Sequence, residues 1–536
     1  MSYNGKDFGH SVDDKLTNHV ETVVDLDKLG ELEGYVLNPE LGHVDTGHLK
    51  TSSDGRTTLI PQPSDDPNDP LNWSQTKKNV ILFVISCTAF LPDFGSAVGA
   101  VTLLPQAAAW GMTPDEINHS QVGNVFMLGA GGVVAVALSA YFGRYPVLFY
   151  FIALAVGTAA WCAAATTFPS FMAARILNGF FSTVAQGGGL MFIKDMYFFH
   201  EHARKINIWS AFIILSPYFG PMFTAFIIDT VKWQWAFGLY TIMTGLCLIL
   251  IMIFADETYY DRRIPIDAQP ARGSHVSRML GIAQWKGRRH RNTITQALLR
   301  PFITISKLPV FLTVVYYMLT FAWVVGINTT LSIFLTPLYS FGPKQIGKRS
   351  LGFLPSALLI TTGFFYFTPV VAALLGELAG HWLHDFVARL SMKRNHGIFE
   401  PEARLNVIWV STPFIIAGLV LLGFCLEEKY HYMVTSVGWG LYVFGVMIAT
   451  VGVNAYNLDS YPEASGEVAS WVNFARTAGG FIISYFQVTW ANGQGTRKSL
   501  GTQAGICAAG FIIILILQRY GKELRAWAGQ PHFKTS

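Results

Sequence analysis

Two charged residues lie inside stretches of the sequence that are apolar enough to cross a membrane. Asp93 falls within residues 79–104, and Arg175 falls within residues 170–193. A charged side chain at bilayer depth costs about 3 kcal/mol, so it normally faces a bundle interior or a wet cavity and marks the path of an ion or a substrate. Counted along antiparallel helices, both side chains reach a similar depth. We therefore predict that Asp93 and Arg175 are coupled across a cavity and respond to protonation; a static pair of buried charges is the alternative.

Polar residues of the fourth apolar stretch recur every three or four positions. On a helix this spacing places Arg175, Asn178, Ser182, Gln186 and Gly189 on one face. Amide and aromatic side chains also lie within the apolar stretches of the second half of the chain, where they suit a site for an amphipathic or cationic molecule. We predict that the substrate cavity is lined by Asn178, Ser182, Gln186, Tyr317, Trp323, Asn328, Asn454 and Asn473.

The fifth apolar stretch contains a proline pair, in the sequence Ser216-Pro217-Tyr218-Phe219-Gly220-Pro221. Each proline removes a backbone donor and clashes with the carbonyl group four residues earlier. Small residues at the same place allow a close helix contact. We predict a conformational hinge at Pro217, Gly220 and Pro221, with ordinary packing as the alternative.

A second pair of opposite charges is predicted nearer the cytosolic side. Glu377 follows the eighth apolar stretch beside Gly376 and Gly380, and Arg476 lies about 12 Å inside the eleventh stretch. We predict that Glu377 and Arg476 form an ion pair at an inner gate.

Twelve apolar stretches must position these residues, and each is long enough to cross a bilayer. They lie near residues 79–104, 121–142, 146–166, 170–193, 207–229, 234–254, 310–336, 352–376, 405–425, 433–456, 468–490 and 502–519. The longest internal connection is basic and separates six stretches from six, an arrangement typical of transporters with a binding site between two halves. We predict an all-α membrane protein with 12 transmembrane helices in two pseudo-symmetric six-helix bundles. The predicted domains are a disordered acidic cytosolic tail (1–76), an amino-terminal bundle (77–255), a basic cytosolic linker (256–308), a carboxy-terminal bundle (309–520) and a cytosolic tail (521–536).

The composition excludes an ordinary soluble protein. Hydrophobic residues make up 51% of the chain and charged residues 13%, against about 25% charged residues in an average soluble domain. Lys and Arg are concentrated in the connections on one side of the predicted helices, which places both termini in the cytosol. We predict an integral, multi-pass protein of the plasma membrane.

Several short motifs between residues 66 and 525 resemble those of the major facilitator superfamily, and more narrowly its fungal drug:proton antiporter-like branch. Arg175-x-x-Asn178-Gly179 resembles the helix 4 motif, whose arginine is associated in the family with proton coupling, and Gly220-Pro221 resembles the antiporter signature of helix 5. Similar matches are Asp69-Pro70-Leu71-Asn72-Trp73, Gly143-Arg144, Asp256-Glu257-Thr258-Tyr259-Tyr260, Gly376-Glu377, Asn395-x-Gly397-x-x-Glu400-Pro401-Glu402-x-Arg404-Leu405 and Tyr461-Pro462-Glu463-x-Ser465-Gly466-Glu467. There are departures, because Ala140 stands where the family usually has an aspartate, and Ser216 and Thr224 stand where glycines are common.

The resemblance implies a proton-coupled secondary transporter that works by alternating access and uses the proton gradient in place of a cofactor. It also implies that Gly143 and Arg144 belong to the inner gate. We expect export of a drug or metabolite, with uptake of organic cations such as polyamines as the alternative. The expected partners are a small-molecule substrate, protons and the lipid bilayer, without nucleic acid, for a chain that acts as a monomer.

Two other classes of function compete with transport. A membrane nutrient sensor would bind a ligand without moving it. An embedded enzyme would need a catalytic or metal site, and the candidates are His381-x-x-x-Asp385 and His200-Glu201-His202. Residues two apart on a helix point to different faces, and no third ligand lies nearby in the sequence, so we predict no metal site and no enzyme.

Overall fold

The computed structural model describes residues 50, 59, 61–262, 264–287, 293–339, 355–394, 400–529 and 531. Within these ranges the regular secondary structure is helical throughout. This confirms the predicted all-α class. Most of the predicted acidic tail, and part of the motif that begins at Asn395, lie outside the described residues.

The amino-terminal half begins with a short 3₁₀ turn, Pro70–Asn72, and continues as a series of long helices. The Ser74 hydroxyl caps the first of these helices by accepting a hydrogen bond from the Lys77 N–H, and Gly111 ends it in the left-handed conformation with φ +67°. The helices are α1 (Gln75–Trp110), α2 (Pro114–Phe142), α3 (Arg144–Ala164), α4 (Phe168–Ser182), α5 (Val184–Met196), α6 (Phe199–Thr230) and α7 (Gln234–Phe254).

Three short helices in the linker lead to the carboxy-terminal half. They are α8 (His275–Met279), α9 (Ile282–Lys286) and α10 (Ile294–Ile305). The long helices that follow are α11 (Leu308–Tyr339), α12 (Pro355–Arg394), α13 (Val407–Glu427), α14 (Tyr432–Ser460), α15 (Ser465–Gln494) and α16 (Thr496–Ala528).

The fourth predicted span is divided in the structure. Helix α4 ends at Ser182, and Thr183 carries the chain into α5 with φ −80° and ψ −2°. The Thr183 carbonyl accepts hydrogen bonds from the backbone N–H groups of Gln186 and Gly187 at 3.0 and 2.9 Å. The polar stripe predicted along one continuous helix therefore lies on two helices with a break between them.

Ten helical segments of the described chain are long and apolar enough to cross a membrane. Helices α12 and α15 are also long, but they are not among these ten. Helix α15 contains the polar residues Glu467, Asn473, Arg476 and Gln487, which lower its mean hydropathy, and all four are buried. The count of twelve spans therefore stays a prediction.

The two halves meet chiefly where α2 packs against α15 and α6 packs against α12, and α5 also contacts α15. In the first pair the Phe126 ring lies 4.9 Å from the Phe481 ring and 6.0 Å from the Phe474 ring. Gly129 allows the close approach of these helices, because a Cβ atom there would lie 2.2 Å from the Thr477 hydroxyl. This seam brings polar residues of α15 next to α1 and α5.

Candidate functional site

A carboxylate of α1 and a guanidinium of α15 meet between the two halves. Asp93 Oδ2 accepts hydrogen bonds from Arg476 Nη1 and from Gln186 Nε2, each at 2.6 Å. Asp93 is 7% exposed and Arg476 is 6% exposed. Because α1 belongs to the amino-terminal half and α15 to the carboxy-terminal half, this ion pair crosses the interface. We call Asp93, Gln186, Asn473 and Arg476 the central cluster.

Arg476 and Asn473 extend the central cluster to the break between α4 and α5. Arg476 Nη2 donates to Asn473 Oδ1 at 2.8 Å, and its guanidinium carbon lies 5.5 Å from the centre of the Phe321 ring. Asn473 Nδ2 in turn faces the Leu128 carbonyl and the Thr183 hydroxyl, both at 3.4 Å. The buried positive charge therefore has an anion, an amide oxygen and an aromatic face as neighbours.

Asp93 and Arg175, which we predicted to interact directly, have different partners in the structure. Arg175 donates instead to the carbonyl groups of Gly95 and Ser96 at 2.7 and 2.9 Å and to Gln121 Oε1 at 2.5 Å. Arg175 therefore binds the backbone of α1 two and three residues after Asp93, and not the carboxylate itself. Arg175 thus fixes the helical turn that follows Asp93, while Arg476 is the partner of the carboxylate.

The other residues of the predicted polar stripe in α4 are Asn178 and Ser182. Asn178 Nδ2 donates to the Ala155 carbonyl at 3.1 Å and to the Thr158 hydroxyl at 3.2 Å, and the Tyr240 hydroxyl donates to Asn178 Oδ1 at 3.2 Å. Asn178 therefore lies inside the amino-terminal half, between α3, α4 and α7, and does not line the interface as predicted. Ser182 is buried at the end of α4.

The predicted cavity residues of the second half are also spread over several places. The Tyr317 hydroxyl lies 3.1 Å from the Thr450 hydroxyl, and Trp323 is buried in the core that surrounds α11. Asn454 instead lines a small cavity of about 60 Å³ with His202 of α6 and His384 of α12. The structure thus brings Gln186 and Asn473 together with Asp93, and leaves Asn178 and Asn454 outside the central cluster.

The proline pair lies within an unbroken helix, α6. Pro221 has no N–H, so the carbonyl of Pro217 lacks its usual partner within the helix. Asn328 of α11 supplies one, because its Nδ2 donates to the Pro217 carbonyl at 3.2 Å. At Gly220, a Cβ atom would lie 2.6 Å from the Phe94 carbonyl of α1. The predicted hinge is therefore a point of close contact with both α1 and the opposite half.

The predicted ion pair between Glu377 and Arg476 is wrong. Arg476 is bound by Asp93, and neither carboxylate oxygen of Glu377 has a hydrogen-bond partner among the residues that the structure describes. The prediction failed because α12 does not end where the apolar stretch ends. It continues to Arg394, 17 residues beyond Glu377, which is about 26 Å of helix. Glu377 therefore lies well inside the helix.

Arg144 has a different partner, one that the sequence did not single out. Gly143 separates α2 from α3 with φ +98°, and Arg144 forms an ion pair with Asp195 of α5. Arg144 Nη1 also donates to the Met191 carbonyl at 3.1 Å, and the Arg144 backbone N–H donates to Glu257 Oε1 at 3.1 Å. Since Ala140 offers no carboxylate, Asp195 supplies the acid beside this arginine. The available sequence signal was the charged pair Lys194-Asp195, which follows the fourth apolar stretch directly.

Another ion pair that the sequence did not predict joins the linker to the carboxy-terminal half. Arg300 Nε of α10 lies 2.6 Å from Glu467 Oε1 of α15, and both side chains are buried. In the sequence, Glu467 is the last residue of the family-like motif that begins at Tyr461. The ion pair of Glu467 with Arg300 fixes α10 against α15.

The segment before α1 is attached to the segment after α7 by further ion pairs. Arg262 contacts both oxygens of Asp69 at 2.9 and 3.1 Å. Burial opposes the charge on Asp69, but Arg262 and the N–H groups of Leu71 and Ser64 outweigh it, so the pKa of Asp69 lies below its ordinary value.

Asp256 is the second acid of this attachment. It accepts from Lys77 at 2.9 Å, from Arg272 at 3.2 Å and from Arg278 at 2.7 Å. Burial raises the pKa of Asp256, but the effect of the three basic side chains is larger, so its pKa lies below the ordinary value. This attachment therefore stays ionised at neutral pH.

The helices are long and apolar, they expose large hydrophobic side chains on their outer faces, and they bury a cluster of charges between the two halves. These features define an integral, multi-pass membrane protein. The sequence profile of the Major Facilitator Superfamily matches residues 82–484. The chain belongs to this superfamily of transporters.

Its curated relatives include fungal transporters. The uncharacterised MFS-type transporter C1271.10c of Schizosaccharomyces pombe is 24% identical, with 94% of each chain covered. The MFS transporter fsa7 of a Fusarium species is 24% identical over 92% of this chain and 96% of the relative. The efflux pump radE of Floropilus chiversii is 25% identical over 88% of this chain and 85% of the relative.

Solved structures of the same superfamily share the fold. The proton:xylose symporter XylE of E. coli, bound to 6-bromo-6-deoxy-D-glucose, superposes with a TM-score of 0.57 at 15% identity, covering 85% of this chain and 100% of the other. The human organic anion transporter MFSD10 gives a TM-score of 0.53 at 14% identity, covering 82% and 99%. At such identities the likeness establishes the fold alone.

Proposed function

We propose that this protein is a proton-coupled transporter that exports a small amphipathic or cationic organic molecule by alternating access. The observation that supports this proposal is the buried ion pair between Asp93 of α1 and Arg476 of α15. A pair of charges that joins two halves must open when those halves move apart. Its protonation state can therefore decide when they move.

The proposed coupling step is protonation of Asp93. Removing one partner of a buried ion pair leaves the other charge uncompensated, at a cost of about 3–5 kcal/mol. A proton on Asp93 removes the attraction to Arg476 and frees α1 to leave α15, while Asn473 and the Phe321 ring still solvate the guanidinium. Loss of the proton on the other side of the membrane restores the pair.

Arg175 has a positioning role in this proposal. Its bonds to the Gly95 and Ser96 carbonyls fix the turn next to Asp93. When α1 and α4 move relative to each other, these bonds shift the turn of α1 beside Asp93 and so change the position of its carboxylate. No direct bond between Asp93 and Arg175 is needed. Gly143, Arg144 and Asp195 form the cytosolic anchor of the same half.

Export is favoured by the efflux pump radE among the relatives. We further propose that the protein acts as a monomer in the plasma membrane, with twelve spans, both termini in the cytosol and residues 256–308 as a cytosolic linker. These statements rest on the sequence pattern and the superfamily resemblance. The uptake of organic cations is the competing direction.

The test is flux in liposomes that contain the purified full-length protein. N-methyl-phenylpyridinium, a permanent aromatic cation, serves as the probe, and the membrane potential is clamped. We expect an imposed pH gradient to drive the cation in the direction opposite to the proton flow. Movement in the same direction as protons would identify an uptake carrier, binding without flux would identify a sensor, and flux that ignores the gradient would contradict proton coupling.

A further inference from the structure

Gln186 contacts the same oxygen of Asp93 that Arg476 contacts. Its Nε2 atom and the Nη1 atom of Arg476 each lie 2.6 Å from Asp93 Oδ2. Gln186 is 2% exposed, and its helix α5 packs against α1, which carries Asp93. Arg476 belongs to the opposite half, whereas Gln186 and Asp93 belong to the same half. Gln186 is therefore the neighbour that stays beside the carboxyl group when the two halves separate.

The backbone of Gln186 is fixed at the start of α5. Its N–H group donates to the Thr183 carbonyl at 3.0 Å, at the break that separates α4 from α5. On one side, a Cβ atom at Gly187 would lie 2.9 Å from the backbone of α2. On another side, Trp209 Nε1 of α6 donates to the Ala185 carbonyl at 3.1 Å. The remaining freedom is in the side chain, where rotation about the bond to the terminal amide is broad.

The amide oxygen of Gln186 is buried and has no hydrogen-bond partner among the described residues. Most buried polar atoms have a partner, so such an atom calls for an explanation. Asp93 supplies one, because an ionised carboxylate only accepts hydrogen bonds, whereas a protonated carboxyl group has an O–H that donates. A half-turn of the amide places Oε1 where Nε2 lies now, and a separation of 2.6 Å suits an O–H···O hydrogen bond. The atom without a partner in the ionised state is thus the acceptor that the protonated state requires.

We propose that Gln186 is a positioning residue whose amide follows the protonation state of Asp93. The amide donates to the carboxylate while Arg476 is bound, and it turns to accept a hydrogen bond from the new O–H group after a proton has added to Oδ2. The proton comes from water on the side where the halves open, and Gln186 itself neither gains nor loses one. The neutral acid then keeps a partner inside the amino-terminal half after Arg476 has left. This inference rests on the proposed proton coupling and adds the residue that stabilises its protonated state.

Helices packed against α1 bring further charged or titratable groups near Asp93, and most of these groups are engaged elsewhere. Arg175 of α4, Tyr240 of α7 and Tyr317 of α11 each have a hydrogen-bond partner of their own. The charged residues of α2 and α5 lie near one end of each helix. Tyr218 of α6 differs, because it is fully buried, lies within electrostatic reach of the ion pair and has no hydrogen-bond partner among the described residues. Tyr218 is therefore the competing acceptor, and the test includes it.

The test is infrared difference spectroscopy of the purified full-length protein in lipid, at high and at low pH, without any gradient. The band that Asp93→Asn removes is the C=O stretch of protonated Asp93. A carboxyl group whose O–H loses its acceptor absorbs at higher frequency, so we expect Gln186→Met to move this band upwards. Gln503→Met in α16 is the matched control and should leave the band in place. Gln503 is also buried, and its Oε1 also lacks a partner among the described residues.

Thermal melting shows whether the variants fold. If Gln186→Met does not, wild-type protein that carries a heavy carbon isotope in the side-chain carbonyl of glutamine replaces it. A glutamine band should then change between the two pH values in the wild type and stay constant in Asp93→Asn, and a constant band in both would overturn the inference. An Asp93 band that Gln186→Met leaves in place, or that Tyr218→Phe moves instead, would also overturn it while leaving proton coupling intact. Absence of any band that depends on Asp93 would reject proton binding by Asp93, and with it the proposed coupling itself.

Discussion

Asp93 and Arg175 lie in neighbouring helices, and yet each has its own partner. Asp93 pairs with Arg476 from the other half, whereas Arg175 binds the backbone of α1. The first contact is charged on both sides, so in the proposed mechanism a proton on the carboxylate breaks it. The second joins a permanent cation to carbonyl dipoles and does not respond at physiological pH. The proposal therefore gives the coupling role to Asp93 and a positioning role to Arg175.

Asp256 gives a prediction for the pH dependence of stability. Its folded-state pKa lies below the ordinary value of 3.8. The stability that its ion pairs provide is complete above that value and is lost only as the pH falls through the lower folded-state pKa. We expect Asp256→Asn to lower the free energy of unfolding by about 2 kcal/mol, with the same difference in melting temperature from about pH 5 to about pH 8.

The matched control for this prediction is Asp267→Asn, at an exposed position of the same linker. Thermal melting of the detergent-purified variants measures the effect. A stability difference for Asp256→Asn that changed steeply between pH 5 and pH 8 would show that the attachment titrates in the range of transport, contrary to its low pKa.

Helix α6 lacks one of its backbone hydrogen bonds, and a side chain of the opposite half replaces it. Pro221 deprives the Pro217 carbonyl of an intrahelical donor, and Asn328 of the opposite half replaces that donor. The proline pair and the asparagine lie about a hundred residues apart in the sequence and act as one unit. A contact of this kind holds α6 against α11.

A double-mutant cycle tests this unit. Asn328→Ala should lower the free energy of unfolding by about 1–3 kcal/mol, because the Pro217 carbonyl would be buried without a partner. In a Pro221→Ala background the alanine N–H can serve that carbonyl, so the same Asn328→Ala change should cost less. Equal costs of Asn328→Ala in both backgrounds, measured by chemical or thermal unfolding, would show that Asn328 does not serve the orphaned carbonyl.

Gly220 gives a second prediction for α6. A Cβ atom would lie 2.6 Å from the Phe94 carbonyl, and backbone cannot yield as a side chain can. We expect Gly220→Ala to push α6 from α1, to cost about 1–3 kcal/mol of stability and to slow transport. Gly245→Ala in α7 is the control, since no heavy atom lies within 4 Å of its Cβ position. Similar behaviour of the two variants in flux and melting assays would argue against a close α1–α6 contact.

The sequence predicted most elements but not their ends. Hydropathy located the long helices because each must present an apolar surface of membrane length. It did not reveal that α12 continues to Arg394, since a helix can extend beyond the bilayer with polar residues. It also missed the break at Thr183, where the residues have no strong helix-ending signal. The wrong depth for Glu377 follows from the first of these errors.

At the scale of the whole molecule, the two halves are joined by a small number of polar contacts within an apolar interface. Asp93–Arg476 lies in the interior, and Arg300–Glu467 ties the linker helix α10 to α15. The prediction of a functional role for Asp93 rested on its position inside an apolar stretch. The sequence could not predict the partner of Asp93. Counting residues along a helix gives the depth of a side chain in the membrane, but tertiary packing decides which helix lies beside it and how each helix is rotated.

The most direct test of proton coupling by Asp93 is the response of transport to an imposed pH gradient in Asp93→Asn. Liposomes that contain the wild type, Asp93→Asn or the exposed control Asp115→Asn are compared for accumulation of N-methyl-phenylpyridinium, with the membrane potential clamped. Exchange of the cation at equal pH serves to show that each protein is folded and active. We predict that Asp93→Asn retains exchange but loses accumulation driven by the gradient. Accumulation equal to that of the wild type would contradict a proton-coupling role for Asp93.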